Sequence, residues 1–336
     1  MSTARVRVAC STAAGLSACV LAAFALALAH PAAAQTLPEG ESGIAARYPG
    51  DAGIASDPDV ILADDFESYS SASGLTSRWT QAQHTGNLRI ATEPANRHAG
   101  SKALEMTVPV TSSEVSNNLI KRLGPGEDVL FLRYYAKYDA GFNVLGSSHN
   151  GSTISANYCC PGVPADGFNK FFVSYEAGRD TSSVANPGLL NIYIYHPEQR
   201  DVWGDHFYPT GRVVPFDQTP GNFGPNFVSR PDVIPELGRW YSYELMVKAN
   251  TPGQRDGRIA MWLDGKLIAD FPNLRLRETT TLKIDQFTLD LHVRQNTLGI
   301  ARKYYDNVVA ARSYIGPMST GTAVRPNPPT NLRVVD

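Results

Sequence analysis

Two runs set the period of this chain. Asn191-Ile192-Tyr193-Ile194-Tyr195-His196 and Phe287-Thr288-Leu289-Asp290-Leu291-His292-Val293-Arg294 both change character at every second residue. A period of two predicts strands whose side chains divide between two faces. In the first run Ile192 and Ile194 take one side, while Asn191, Tyr193 and Tyr195 take the other. In the second, Phe287, Leu289, Leu291 and Val293 form the apolar side, opposite Asp290, His292 and Arg294. Such strands build a sheet with one buried face and one face rich in phenols, imidazole and guanidinium, which suits a sugar polymer.

The same pattern recurs along most of the chain. A strand at 60–63 opens the domain, and further strands are predicted at 104–110, 129–138, 170–176, 190–196, 240–248, 258–263, 266–271, 283–294 and 304–311. Gly, Pro, Asn or Asp separates most of them, which is the signature of a sandwich. Asp264-Gly265 between Met261-Trp262-Leu263 and Lys266-Leu267-Ile268 is a hairpin signal, because both turn residues take positive φ in the favoured two-residue turn. In 129–138, Leu130, Leu132, Tyr134 and Ala136 alternate against Phe131, Arg133, Tyr135 and Lys137. Were this strand in the same sheet as the other two, Arg133, Tyr135, Lys137, Tyr193, Tyr195, His292 and Arg294 would line one concave surface. The alternative is an ordinary solvated face with cross-strand pairs.

The ends of the chain do not share this period. Arg5 and Arg7 precede an apolar run at 13–29, and Ala32-Ala33-Ala34 before Gln35 fits a cleavage site, so residues 1–34 read as a secretory signal. Leu16-Ser17-Ala18-Cys19 also fits a lipobox, but the most apolar stretch follows Cys19, where a lipoprotein needs a polar tether. The expected location is secreted or periplasmic. Residues 35–57 are expected to be an extended lead-in, 58–316 the β domain, and 317–336 a Pro-rich tail whose last part resembles the opening of a fibronectin type III module. Residues 197–235, rich in Pro and Gly, are expected to wall one side of a groove, since long ordered loops are often functional.

Composition narrows the function. Of the 336 residues, removal of the first 34 leaves 302, enough for one large β domain. Loss of Arg5 and Arg7 takes the formal charge from −2 to −4, so no basic field points to nucleic acid. No segment after the signal approaches a membrane-spanning length. Cys159 and Cys160 are the cysteines beyond the signal. Adjacent Cα atoms lie about 3.8 Å apart, below the usual disulfide span of about 4.4–6.8 Å. A bond between them needs a distorted or cis peptide and would stiffen the turn at Pro161-Gly162. Free or intermolecular thiols are the alternatives. Glu176, Glu244 and Asp290 are isolated acids, expected to be solvated or paired, and no paired carboxylates for glycoside hydrolysis occur. Trp240 and Trp262 are expected in packing, and Trp203, near His206 and Tyr208, to stack on a sugar.

Several motifs occur in a fixed order: Asp65-Phe66-Glu67-Ser68, then 132–138 before a loop containing Phe142, then 193–199, 256–265 and 305–309. Together they resemble the concanavalin A-like jelly-roll polysaccharide lyases, in particular the alginate and glucuronan lyase-like group, over about residues 45–315. The resemblance implies an all-β fold, a concanavalin A-like jelly-roll sandwich of two antiparallel sheets with a concave groove. It also implies β-elimination on a uronate polymer, an acidic polysaccharide partner, and action as a monomer. Elimination needs the uronate carboxylate neutralised, a base for the C5 proton and an acid for the leaving oxygen. The Tyr-x-Tyr strand of the group matches Tyr193 and Tyr195. Arg133, Arg294 or a His would pair with the carboxylate, and His292 joins the catalytic candidates. Tyr135, Lys137, Arg294 and Trp203 would bind the chain. Members carry Gly-Gly-Lys after the Phe-containing loop, whereas this chain reads Gly146-Ser147-Ser148-His149-Asn150-Gly151. His149 thus stands about where that lysine would be, and would replace it in neutralising charge or moving a proton. In relatives an acid of the first strand and an Asp of the last often meet at a calcium ion, which implies Asp65, Glu67 and Asp306 as oxygen ligands for structural Ca2+. No organic cofactor is expected. A sugar-binding jelly roll without catalysis, and a structural envelope domain, are the rival readings.

Overall fold

The computed structural model describes residues 36–146, 148–215 and 223–320; the expected signal segment and most of the Pro-rich tail lie outside them. The fold is two stacked antiparallel sheets, the sandwich that the strand pattern predicts and the jelly roll that the resemblance implies. The first sheet runs, edge to edge, through Lys266–Leu274, Gly257–Leu263, Tyr241–Lys248, Val129–Tyr138, Ala301–Ala311, Ala103–Val108 and Leu88–Ala91, with Val60–Asp64 also paired to Ala301–Ala311. The second runs through Val213–Val214, Asp205–Phe207, Leu189–Tyr195, Phe171–Gly178, Ser152–Ala156, Ile284–Val293, Val115–Glu127 and Gln81–Ala82, with Ser148–His149 also paired to Ile284–Val293. The only helices among the described residues are short 3-10 turns.

The core forms where the two apolar faces meet. Ile192 and Ile194 from one strand and Phe287, Leu289, Leu291 and Val293 from another are fully buried there, facing Leu130, Leu132, Tyr134 and Ala136 of the first sheet. Truncating one such leucine costs about 2–5 kcal/mol, because a close-packed interior cannot fill the gap. The hairpin forms as its sequence requires: Asp264 and Gly265 take φ of 50° and 74° between paired strands.

The 36–57 stretch is not the extended lead-in its composition predicts. It turns through Ile44–Arg47, Pro49–Asp51 and Ile54–Ser56 and lays Ile44, Ala45 and Ile54 on the outer face of the first sheet, against Phe131, Trp262 and Tyr314. Apolar residues at 44, 45 and 54 find no partner in the main core, so they roof the opposite face instead. The start of the tail is held there too, since Met318 N–H donates to the Tyr135 hydroxyl at 2.8 Å. Hence the first sheet is covered on both faces, while the outer face of the second reaches the surface at the half-buried His149, His206 and His292.

Candidate active site

The open face of the second sheet is assembled from neighbouring strands in register. Tyr193 pairs with His206 on one side and Ser174 on the other, and His149 pairs with His292. Outward-pointing positions therefore place four rings in series. His292 and His149 stack at 5.1 Å, His149 and Tyr193 at 4.6 Å, and Tyr193 and His206 at 4.8 Å between ring centres. Glu176 sits beneath them. Its carboxylate accepts from His149 Nδ1 at 2.8 Å and lies 3.8 Å from His206 Nδ1, which is also 2.9 Å from Asn191 Oδ1.

The local sequence explains why His149 is held so firmly on so short a strand. Asn150 follows it, is buried, and ties three elements together. Its Oδ1 accepts from the Tyr138 hydroxyl at 2.7 Å and from Ala177 N–H at 3.0 Å, while its Nδ2 donates to Ala177 O and Ser148 Oγ. The buried Lys303 Nζ donates to the Asn150 carbonyl. Gly151 comes next because the chain passes so close to Tyr175 that any Cβ would overlap its carbonyl oxygen at 1.8 Å. Ser-His-Asn-Gly is thus a clamp that sets one imidazole over Glu176.

Charge differs sharply from ring to ring. Burial works against a charged His149, but the charge and hydrogen bond of Glu176, with Asp290 and Glu114 behind, outweigh it and raise its pKa. His292 is driven the other way, to about 4, by burial and then by the charge of His149. Burial lowers His206 as well. The charged form is thus favoured at His149 and disfavoured at His292 and His206. Tyr193 stays protonated, because burial raises its pKa strongly, and its hydroxyl donates to the Trp203 carbonyl. Asp290, raised to about 6 by burial, accepts from the Thr153 and Thr288 hydroxyls in the floor of the face.

Several expected site residues lie elsewhere. Arg133, Tyr135 and Lys137 do alternate outward, but from the first sheet, because Val129–Tyr138 pairs with Tyr241–Lys248 and Ala301–Ala311 rather than with the imidazole-bearing strands. Arg133 is fully buried, bonded to Asp51 at 2.5 Å and to the Asn307 carbonyl at 3.1 Å. Tyr135 is stacked on His98 at 3.6 Å, and Lys137 Nζ donates to Ala95 O and to Asn96 Oδ1. Alternation assigns faces within one strand; it does not say which sheet the strand joins. Tyr195 is on the expected face but only 1% exposed, in a small apolar cluster with Phe172, Tyr193 and Ala165. Arg294 is exposed, one residue past its strand. Trp203 is 58% exposed beside Tyr193. Glu176, expected only to be solvated or paired, proves central, as does His206. Glu176 was legible in Phe172-Val173-Ser174-Tyr175-Glu176, whose outward set continues the polar face. His206 lies in a three-residue strand among Pro and Gly and gave no period.

The carboxylates expected to hold calcium do not fit a cation. Asp306 accepts N–H donors from His98, Ala99 and Asn307, and Glu67 those of Ser101 and Lys102. Asp65 is exposed and accepts from Glu67 N–H. Their oxygens close turns against amide donors, and burial raises Asp306 to about 7. Among the described residues no group of three or more His, Cys, Asp or Glu side chains could hold a metal ion. A cavity of about 400 Å³ beside the N-terminal turns is lined by Asp51, Ile54, Asp64, Arg78 and Asn307 among others, with no imidazole or phenol, so it offers no comparable chemistry. No helix of the described residues is long and apolar enough to cross a membrane.

Comparison with known proteins bears on the fold. No protein-family model matches the chain, and no curated protein does. Solved structures do. A double mutant of the alginate lyase Aly36B, in complex with alginate trisaccharide, is 17% identical with a TM-score of 0.54, over 76% of this chain and 99% of that one. The marine PL-14 alginate lyase from Aplysia kurodai is 14% identical with a TM-score of 0.51, over 75% and 99%. The alginate lyase vAL-1 from Chlorella virus is 15% identical with a TM-score of 0.50, over 76% and 100%. At these identities the likeness is one of architecture, and the fold of this chain is an alginate lyase-like jelly roll.

Proposed function

We propose that this chain is an exported polysaccharide lyase that cleaves a uronic-acid-containing polymer by β-elimination, acting as a monomer. The observation that carries the reading is the stacked, half-buried pair His149–His292, with the charged form favoured on the first ring and disfavoured on the second. The carboxylate carbon of a uronate is bonded to C5. A cation for the carboxylate and a base for the C5 proton must therefore stand side by side, and ring centres 5.1 Å apart meet that need. His149, whose charged form Glu176 favours, pairs with the carboxylate and makes C5–H more acidic. Neutral His292 takes the C5 proton, the C4–O bond breaks as the C4–C5 double bond forms, and the imidazolium returns the proton to the departing oxygen. Tyr193 and Trp203 wall the sugar, with Arg294 at the strand end. The alginate lyases of the same fold support an acidic polysaccharide as substrate, and the N-terminal charged and apolar run supports export.

The test is incubation with alginate, glucuronan and related polymers, read by the ultraviolet absorbance of the new double bond. Absorbance that grows with time, and falls away in His149→Ala and His292→Ala, is the expected result. A second reading, sugar binding without catalysis, draws on the tying of both phenols, Tyr193 to the Trp203 carbonyl and Tyr195 to the Gly162 amide. Polymer binding with no new absorbance on any substrate would favour it over the lyase.

A further inference from the structure

The loop after Tyr158 carries two adjacent thiols that elimination does not use. Cys159 and Cys160 are both free and exposed, and their sulfur atoms lie 2.8 Å apart. Cys160 holds a φ of 56°, an uncommon backbone for a residue with a Cβ. Two links run from this loop to the candidate site. Gly162 N–H donates to the Tyr195 hydroxyl at 3.3 Å. The Lys170 ammonium, on a buried side chain, donates to the carbonyls of Cys159 and Cys160 at 2.7 and 2.8 Å and stands 4.7 Å from the centre of the Tyr195 ring.

We propose that Cys159 and Cys160 are a modification site, closing reversibly to a vicinal disulfide that releases the grip of this loop on Tyr195. The oxidant is a small disulfide such as oxidised glutathione. One cysteine thiolate attacks it and expels one glutathione thiolate; the neighbouring thiolate then attacks the mixed disulfide and expels the second. Two S–H bonds give way to one S–S bond, the two electrons reduce the oxidant, and the two protons end on the released thiols.

Geometry dictates what else must move. Adjacent Cα atoms at about 3.8 Å fall short of the usual disulfide span of about 4.4–6.8 Å. The ring can close only by turning the peptide that joins the two cysteines. That peptide carries the Cys159 carbonyl, one of the two acceptors of Lys170. Turning it frees the ammonium beside Tyr195 and draws Pro161-Gly162 off the hydroxyl. Strain of this kind makes a disulfide easier to reduce, and strained, exposed disulfides are the labile, regulatory ones.

The full chain, treated with oxidised glutathione, denatured in acid and cut with trypsin, gives a peptide 138–170 that holds both cysteines and no internal Lys or Arg. Its mass is expected to fall by two hydrogen atoms and to recover with dithiothreitol. Amide hydrogen exchange across 158–164 is expected to rise severalfold on oxidation and to stay unchanged in Cys160→Ser. A peptide that keeps both thiols, carries glutathione or is linked to a second chain overturns the modification. A closed ring with unaltered exchange overturns the link to Tyr195. The effect on catalysis rests on the lyase reading: product formation should change severalfold on oxidation, return on reduction, and be indifferent to oxidant in Cys159→Ser. Absence of lyase activity would defeat that reading while leaving the mass and exchange results to judge the thiol pair.

Discussion

The outer faces of the two sheets carry the same kinds of side chain and meet opposite fates. On the first sheet, Arg133, Tyr135 and Lys137 alternate outward, yet Arg133 is fully buried under the turns of 44–56 and the three are bonded to Asp51, His98, Met318, Ala95 and Asn96. On the second, His149, His206 and His292 also alternate outward beside Tyr193, and the His149 side chain keeps 24% of its surface open. Cations and aromatics on a strand thus say little by themselves about function. What decides is whether another segment covers them and whether their hydrogen-bonding groups are already spent. Arg133 is a clasp for the N-terminal turns; His149 is bound on one nitrogen only.

Breaking the clasp should give the largest effect of all, and on stability. Arg133→Met strands the Asp51 carboxylate against the sheet, and loss of one partner of a buried pair costs about 3–5 kcal/mol. Urea unfolding should show that loss, while the folded fraction keeps the chemistry of the second sheet. Lost chemistry at unchanged stability would restore Arg133 to the site and dissolve the contrast between the faces.

His149→Ala should do the reverse. Removal of a group that stabilises charge and moves protons costs about 100-fold or more in rate, read as the absorbance of unsaturated product. Because the ring is partly open and Asn150 supplies the clamp, unfolding should change far less than in Arg133→Met.

Glu176→Gln sharpens the electrostatic half of the argument. Without the carboxylate, burial is opposed only by the lesser charges of Asp290 and Glu114, and the raised pKa of His149 falls. In the native protein the charged form prevails below that raised pKa and disappears as pH climbs through it. The alkaline limb of the pH–rate profile should therefore move to lower pH. The acid limb, set by His292 at about 4, should barely move. A fixed alkaline limb would mean that His149 is not the cation.

Much of this frame was legible beforehand. Period-two runs gave the faces of the Ile192 and Leu289 strands correctly, and Asp264-Gly265 gave the hairpin, because burial and φ act on each residue where it stands. Val115–Glu127 was missed, since Asn117-Asn118 and Gly124-Pro125-Gly126 interrupt its alternation. The assignment of Arg133 failed for a different reason. Sheet membership is fixed by pairing between distant segments, and no local period encodes it. The His149–Glu176 bond spans 27 residues and was hidden likewise, although each partner's face could be read from its own strand.

The smallest expected effect belongs to Trp203, where the two faces can be compared once more. The buried tryptophan of the first sheet, Trp262, donates its Nε1–H to the Pro38 carbonyl and helps seat the N-terminal segment. Trp203 is 58% exposed, and the protein uses its backbone instead, as acceptor for Tyr193. Trp203→Ala keeps that carbonyl, so the four-ring stack should survive. What goes is a rigid ring that lies against Gly162, close enough that a Cβ there would meet it at 3.0 Å, and that a sugar could stack upon. Aromatic contacts of this sort contribute about 0.5–1.5 kcal/mol, so KM for a uronate polymer should rise a few-fold with kcat little altered. A large fall in kcat with KM unmoved would instead place Trp203 in the support of Tyr193, and would make the open face depend on its cover as much as the closed one does.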